Sequence, residues 1–232
     1  SNNGYFEDLT SSLLPNIDQF GIVTDAQWAD LNLDGREDLI IVGEYSPVTI
    51  FINSKQGFTR LSSDILDEAM GLWRALEVVV LYDDGDLDIL LGNLGKNNML
   101  SIAPETPLVI SARDIDKNGS IDPLMFNSQQ NKKGDWDMFP TQFWDNLTQQ
   151  SPMFRKEFYS YNAFSKANMN YYKEKGYLKN DSLLFAKYDS SKWLENKGSL
   201  KFELKDLPPQ LQLGPINDFL VLGKGKDRSI FM

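Results

Sequence analysis

The chain has 232 residues, a formal net charge of -10, a sequence pI near 4.6, and neither cysteine nor histidine. The two missing residue types exclude disulfides, thiol nucleophiles, Cys/His zinc sites and every mechanism that uses imidazole. The acidic balance argues against nucleic acid and anionic membrane surfaces, and no apolar run approaches the ~18 residues of a membrane span.

The chain begins at Ser1 rather than Met, so a signal peptide or lipid anchor ahead of it stays open, and with it export. Asn3-Gly4-Tyr5-Phe6-Glu7-Asp8-Leu9 reads as a turn leading into a short strand. Residues 30–43, D-L-N-L-D-G-R-E-D-L-I-I-V-G, form an acidic, Gly-turned loop that runs into an apolar strand. Residues 48–53 are a further strand, followed by the turn Lys55-Gln56-Gly57 and a second turn-and-strand at residues 57–61. Residues 84–92 (D-G-D-L-D-I-L-L-G) and 114–126 (D-I-D-K-N-G-S-I-D-P-L-M-F) return to the loop-then-strand pattern. The apolar runs are short and β-branched or bounded by Gly, which predicts buried strands rather than helices. The offset is 52 from Phe6 to Phe58 and 50 from Asp38 to Asp88. A period near fifty with several short strands per unit is what a β-propeller blade requires. A β-sandwich supplies short strands too, but leaves the repeated loop unexplained.

Residues 134–178 break the pattern. Phe154, Phe158, Tyr161 and Ser165 follow one another at helical spacing, with Pro152 where a first helical turn tolerates it and an end near Gly176. Turn-and-strand patterning resumes at Asn196-Lys197-Gly198 and Phe202-Glu203-Leu204. The expected fold is mainly β: blades of a partial β-propeller with a helical insertion. Residues 1–133 are expected to hold repeats, 134–178 the insertion and 179–232 further propeller strands. The last repeat stops at Met232, about where its strand should begin, which reads as three to four blades of a longer propeller or a short natural relative.

The loops carry the chemistry. Asp30, Asn32, Asp34 and Asp38 occupy positions 1, 3, 5 and 9 of the first, with Gly35 at 6 for the sharp turn and the carbonyl of Arg36 at 7. Asp114, Asp116, Asn118, Gly119, Ser120 and Asp122 repeat that spacing. Alternating oxygen-bearing side chains on a curled loop converge on one point and suit calcium, which takes six to eight oxygens in tolerant geometry; magnesium prefers fewer ligands and keeps its waters. An EF-hand is excluded, because position 12 is Ile41 or Met125 rather than Glu and strand follows. A cluster of Asx-turns would need no ion, but uncompensated carboxylates folded together repel, which favours a cation. In the middle loop Val80 and Tyr82 stand at positions 1 and 3, leaving Asp84, Asp86 and Asp88, with Asp83, as a weaker set of candidates; site and no site both stay open. Residues 223–227 carry lysines where acids belong, and no metal is expected there.

Gly21-Ile22-Val23-Thr24-Asp25-Ala26-Gln27-Trp28-Ala29-Asp30, the loop after it and Val42-Gly43-Glu44-Tyr45-Ser46-Pro47-Val48 resemble the FG-GAP/VCBS repeats of bacterial integrin-α-like and cartilage-acidic-protein-like propellers. Gly92-Asn93-Leu94-Gly95-Lys96-Asn97, residues 114–123, Tyr161-Asn162-Ala163-Phe164 and Leu204-Lys205-Asp206-Leu207-Pro208 match the same pattern. The resemblance is specific at the first and third loops and departs at the second and last. It implies calcium-binding blades and export, often on a lipoprotein, and no particular activity.

Two function classes follow. One is a non-catalytic calcium-binding module, extracellular, periplasmic or at the cell surface, that recognises a protein or glycan without binding nucleic acid or inserting into a membrane. The other is a polysaccharide lyase or hydrolase on a propeller, whose acid–base groups would be carboxylates, Lys or Tyr. The aromatic stretch from Trp136 through Phe139, Phe143 and Trp144 to Phe154, Phe158, Tyr161 and Tyr172 is either a sugar platform or packing for the insertion. Lys173, Lys175 and Lys179 read as a solvated helix end.

Overall fold

The computed structural model describes residues 4, 7–14, 17, 20–82, 84–223 and 227–232. Asn3, Tyr5 and Phe6 of the opening turn, Asp83 and the lysines of the last loop therefore lie outside the described residues. The fold is mainly β, with 39% strand and 17% helix. Two compact units divide the chain: Ser1–Asn98 with Tyr188–Met232, and Met99–Lys187.

The first unit opens with α1 (Thr10–Leu13), then β1 (Ile22–Ala29), β2 (Asp38–Pro47), β3 (Thr49–Ser54) and β4 (Gly57–Leu61). These pair in chain order as an antiparallel meander. Ser63 caps α2 (Asp64–Glu68) by accepting from the N–H of Leu66, and β5 (Met70–Leu72) pairs with the far half of β2. β6 (Ala75–Val79) and β7 (Asp88–Gly92) start a second sheet.

The chain then builds the second unit. β8 (Leu108–Arg113), β9 (Asp122–Gln130), β10 (Trp136–Pro140) and β11 (Leu183–Ala186) form a sheet in the order β10-β9-β8-β11. Between β10 and β11 come α3 (Trp144–Gln150), α4 (Phe154–Glu157), α5 (Tyr161–Phe164) and α6 (Met169–Glu174). Back in the first unit, β12 (Lys192–Asn196) and β13 (Phe202–Asp206) complete the second sheet as β13-β12-β7-β6. A hairpin of β14 (Leu220–Leu222) and β15 (Ser229–Phe231) follows. No helix among the described residues is long and apolar enough to cross a membrane.

The structure draws its boundaries elsewhere than the sequence pattern does. A divide after residue 133 would cut the β9–β10 hairpin, which is paired from Gln130 with Trp136 to Phe126 with Pro140. β11, expected among the later propeller strands, closes that same sheet against β8. The third loop therefore belongs to the same unit as α3 to α6. Local patterning marks a strand but not its partner, and packing decides the partner. Leu194 of β12 joins Ile89, Leu91 and Trp73 in the first unit's core, drawing a late strand onto an early sheet. Trp73 is fully buried and donates its indole N–H to the carbonyl of Ala69 at 2.9 Å. Gly71 lets it in: a Cβ there would lie 2.5 Å from the ring.

The single helix read from Phe154 to Ser165 is two short ones. Phe158 is extended (φ -116, ψ 93) and ends α4, and Ser160 caps α5 by accepting from the N–H of Ala163. Burial of Phe158 outweighs continuity of the helix. With Phe154, Tyr172 and Phe126 it forms the second unit's core, where Phe126 and Tyr172 meet edge-on at 5.3 Å. A buried side chain of this size contributes about 2–3 kcal/mol. Beside this core Glu157 accepts from the hydroxyls of Tyr171 and Tyr177 and pairs with Lys175 at 2.8 Å, which holds its carboxyl below the usual range.

Candidate functional site

The first and third loops are drawn by the same hydrogen bonds. The N–H at position 5 donates to the first aspartate, Asp34 to Asp30 at 2.9 Å and Asn118 to Asp114 at 3.0 Å. The glycine N–H reaches that aspartate's other oxygen at 2.8 Å in both. The position 5 N–H also meets Asn32 at 3.1 Å or Asp116 at 3.2 Å, and the next link runs from Arg36 to Asp34 or from Ser120 to Asn118. To close this curl, Leu33 and Lys117 take left-handed backbone (φ 58 and 61), as do Gly35 and Gly119.

The last aspartate of each loop is a staple. Asp38, Asp88 and Asp122 are buried, and each accepts the N–H of the residue seven before it, Leu31, Leu81 or Ile115, at 2.9–3.0 Å. The second oxygen of Asp38 takes the N–H of Asn53 at 2.8 Å, and that of Asp88 takes the N–H of Asn196 at 2.9 Å. The same bond thus closes over 15 residues in the first sheet and 108 in the second. In the third loop the hydroxyl of Ser151 fills this place on Asp122. Burial pushes the Asp38 and Asp88 carboxyls up, while the backbone donors pull the other way.

The loops differ in the charge they leave free. Asp114, Asp116 and Asp122 each offer an oxygen, all within 4.8 Å of one another, and no other group of three His, Cys, Asp or Glu among the described residues meets that spacing. Asn118, which is exposed, completes the donor set that a calcium ion would use. In the first loop the Asp34 carboxylate is held by the Arg36 guanidinium and by Asn32 Nδ2, which withdraws it from the centre. Arg36, expected to supply only its carbonyl, thus provides an internal cation and also donates to the carbonyl of Asn53 at 3.0 Å. Among its described residues the middle loop keeps the staple and one link, from the N–H of Asp86 to Asp84 at 3.2 Å.

Residues 30–91 match the FG-GAP-like repeat. No curated protein and no solved structure matches the chain. The FG-GAP-like repeat holds the first two loops and the strands from β2 through β6 and most of β7, and the third loop lies beyond it.

The aromatic stretch divides in two. Phe154, Phe158 and Tyr172 are buried, whereas Trp136, Phe143, Tyr159 and Tyr161 are 61%, 75%, 87% and 60% exposed. Packing therefore accounts for only half of the rings. Phe139, Phe143, Trp144, Tyr161 and Phe164 line a groove of about 940 Å³ within the second unit. Its polar lining includes Asn127 and Gln129 of β9, Asp137 of β10 and Gln142. None of these four stands out in the sequence. For Asn127 and Gln129 the signal is polar residues alternating with Leu124 and Phe126 along a strand whose other face is core; Asp137 and Gln142 carry no such signal.

Proposed function

We propose that this chain is a non-catalytic, calcium-binding β-propeller module of an exported or cell-surface protein, and that it recognises a protein or glycan. The observation that carries the reading is the third loop, where three carboxylates come within 4.8 Å on a backbone curl shared with the first loop. A bound calcium ion would supply positive charge that neutralises these carboxylates and fixes the loop. Asp114, Asp116, Asn118 and Asp122 hold it, and the carbonyl at Ser120 is a further oxygen donor. The four-stranded meander β1–β4 has the make-up of a propeller blade, and β6-β7-β12-β13 repeats it. FG-GAP repeats are commonly extracellular recognition modules, which supports the surface assignment.

Calorimetry on chelator-stripped protein tests the metal. Calcium is expected to bind the third loop first and the first loop more weakly, and Asp114→Ala should abolish the tighter event. At a free concentration of about 100 times the dissociation constant, one site adds about 2.7 kcal/mol to folding stability. A flat titration of the wild type would overturn the reading.

A further inference from the structure

We propose that the groove of the second unit is the ligand site of this recognition module, and that its ligand is an uncharged oligosaccharide. The inference rests on the recognition reading and gives it a place and a chemical class.

The floor of the groove follows from strand register. Asn127 stands opposite Phe139 and Gln129 opposite Asp137 in the β9–β10 ladder. Directly paired residues share a face, and so do residues two apart, so these four side chains lie together. Leu124 and Phe126 take the other face into the core.

Two acceptors in this lining lack partners among the described residues. Asn127 is 3% exposed, and its Oδ1 is buried with no hydrogen bond. Gln142 donates through Nε2 to the carbonyl of Pro123 at 2.8 Å and to Gln150 at 3.2 Å, which fixes the amide's orientation. Its Oε1 is likewise buried and unpartnered. An unsatisfied buried acceptor costs about 1–3 kcal/mol, and a hydroxyl donor that reaches it from the groove would remove that cost.

The rings are held by their polar ends. Trp144 donates its indole N–H to the carbonyl of Phe158 at 3.0 Å, and Tyr161 donates its hydroxyl to Asp145 at 2.7 Å. The two ring centroids are 4.9 Å apart at 54°. With those ends engaged, the rings, and Phe143 beside them, are left to offer apolar surface to a ligand. A pyranose has what complements both features: an apolar C–H face for the rings and a rim of hydroxyls for the amides. The volume of about 940 Å³ is at the upper end of the range for ligand sites, roughly 300–1,000 Å³.

Charge selects the uncharged class. Lys132, Lys133 and Lys166 stand against Asp135 and Asp137, an excess of one positive charge that is too small to demand an anionic ligand. The Asp137 carboxylate is already engaged by Asn168 Nδ2 at 2.5 Å. An extended peptide adding to the free edge of β10 would be read by its backbone, whereas the unpartnered acceptors here are side-chain atoms.

The test uses the full chain and neutral hexasaccharides of glucose, xylose, mannose and N-acetylglucosamine, followed by tryptophan emission and calorimetry. At least one should bind and shift the emission. Phe143→Ala and Tyr161→Ala, both at exposed rings, should each weaken it about tenfold with calcium heat unchanged. Asn127→Leu should weaken it further, and if that variant fails to fold the two ring variants still decide. Binding by none of the panel, binding of charged polyuronates or peptides only, or undiminished binding in the Phe143→Ala, Tyr161→Ala double variant would overturn the inference. Any of these with calcium binding intact leaves the metal reading standing. Released reducing sugar that vanishes in the ring variants would support the groove and overturn the non-catalytic assignment.

Discussion

The first and third loops bend through the same hydrogen bonds and present different charges at their centres. In the first, Arg36 already sits on Asp34; in the third, Asn118 takes that position and three carboxylates stay close. Backbone shape and the charge presented on it are therefore separable. The curl depends on an oxygen at positions 1, 3 and 5 and a glycine at 6, and it tolerates Asn for Asp. In the proposed calcium reading, affinity follows how much negative charge is left uncompensated on that curl.

The staples give the sharpest contrast. Asp38→Ala strips two backbone N–H groups, one buried and one partly buried, of their acceptor and should cost about 3 kcal/mol in urea unfolding. Asp122→Ala strips one N–H and a hydroxyl that can turn to another partner, and should cost about 2 kcal/mol. A loss below about 1 kcal/mol at Asp38 would mean that the staple is ornamental.

A smaller effect tests the separation of shape from charge. In an Asp114→Ala background the calcium response proposed for the first loop is read without that of the third. Adding Arg36→Ala removes the internal cation there and should raise the calcium-dependent gain in stability by about 1 kcal/mol. An unchanged calcium response would show that Asp34 was available all along.

The smallest effect isolates the curl itself. Lys117 holds φ 61 without a glycine's freedom, so Lys117→Gly should stabilise the protein by about 0.5 kcal/mol with calcium heat unaltered. Leu33→Gly should do the same at φ 58. Destabilisation at both positions would show that these side chains contribute more than their strain.

Much of this was legible because it is local. The spacing of Asp30 to Asp38 and of Asp114 to Asp122 marks the loops, and the offset from Asp38 to Asp88 marks the repeat. The turn-and-strand likeness of residues 57–61 and 198–204 is real in structure, since β4 and β13 are the outer strands of equivalent sheets. The insertion's true extent was not legible. Nothing near Leu194 says that its partner is Ile89, because that pairing is chosen by a shared core rather than by neighbours in sequence. The groove was hidden for a related reason: Asn127 and Gln142 gain meaning only from the partners that they lack.

The Asp88–Asn196 bond also sets a schedule for the growing chain. Its two ends are made 108 residues apart. At about 5–20 residues per second, β6 and β7 wait roughly 5–20 s on the ribosome before β12 exists to cover them. Throughout that interval the apolar run Ile89-Leu90-Leu91 belongs to an unfinished two-stranded sheet, open to any other strand nearby. The Met99–Lys187 unit can meanwhile fold on its own contacts. Biogenesis thus exposes the older half of a sheet to chaperones and to neighbouring chains until the younger half emerges.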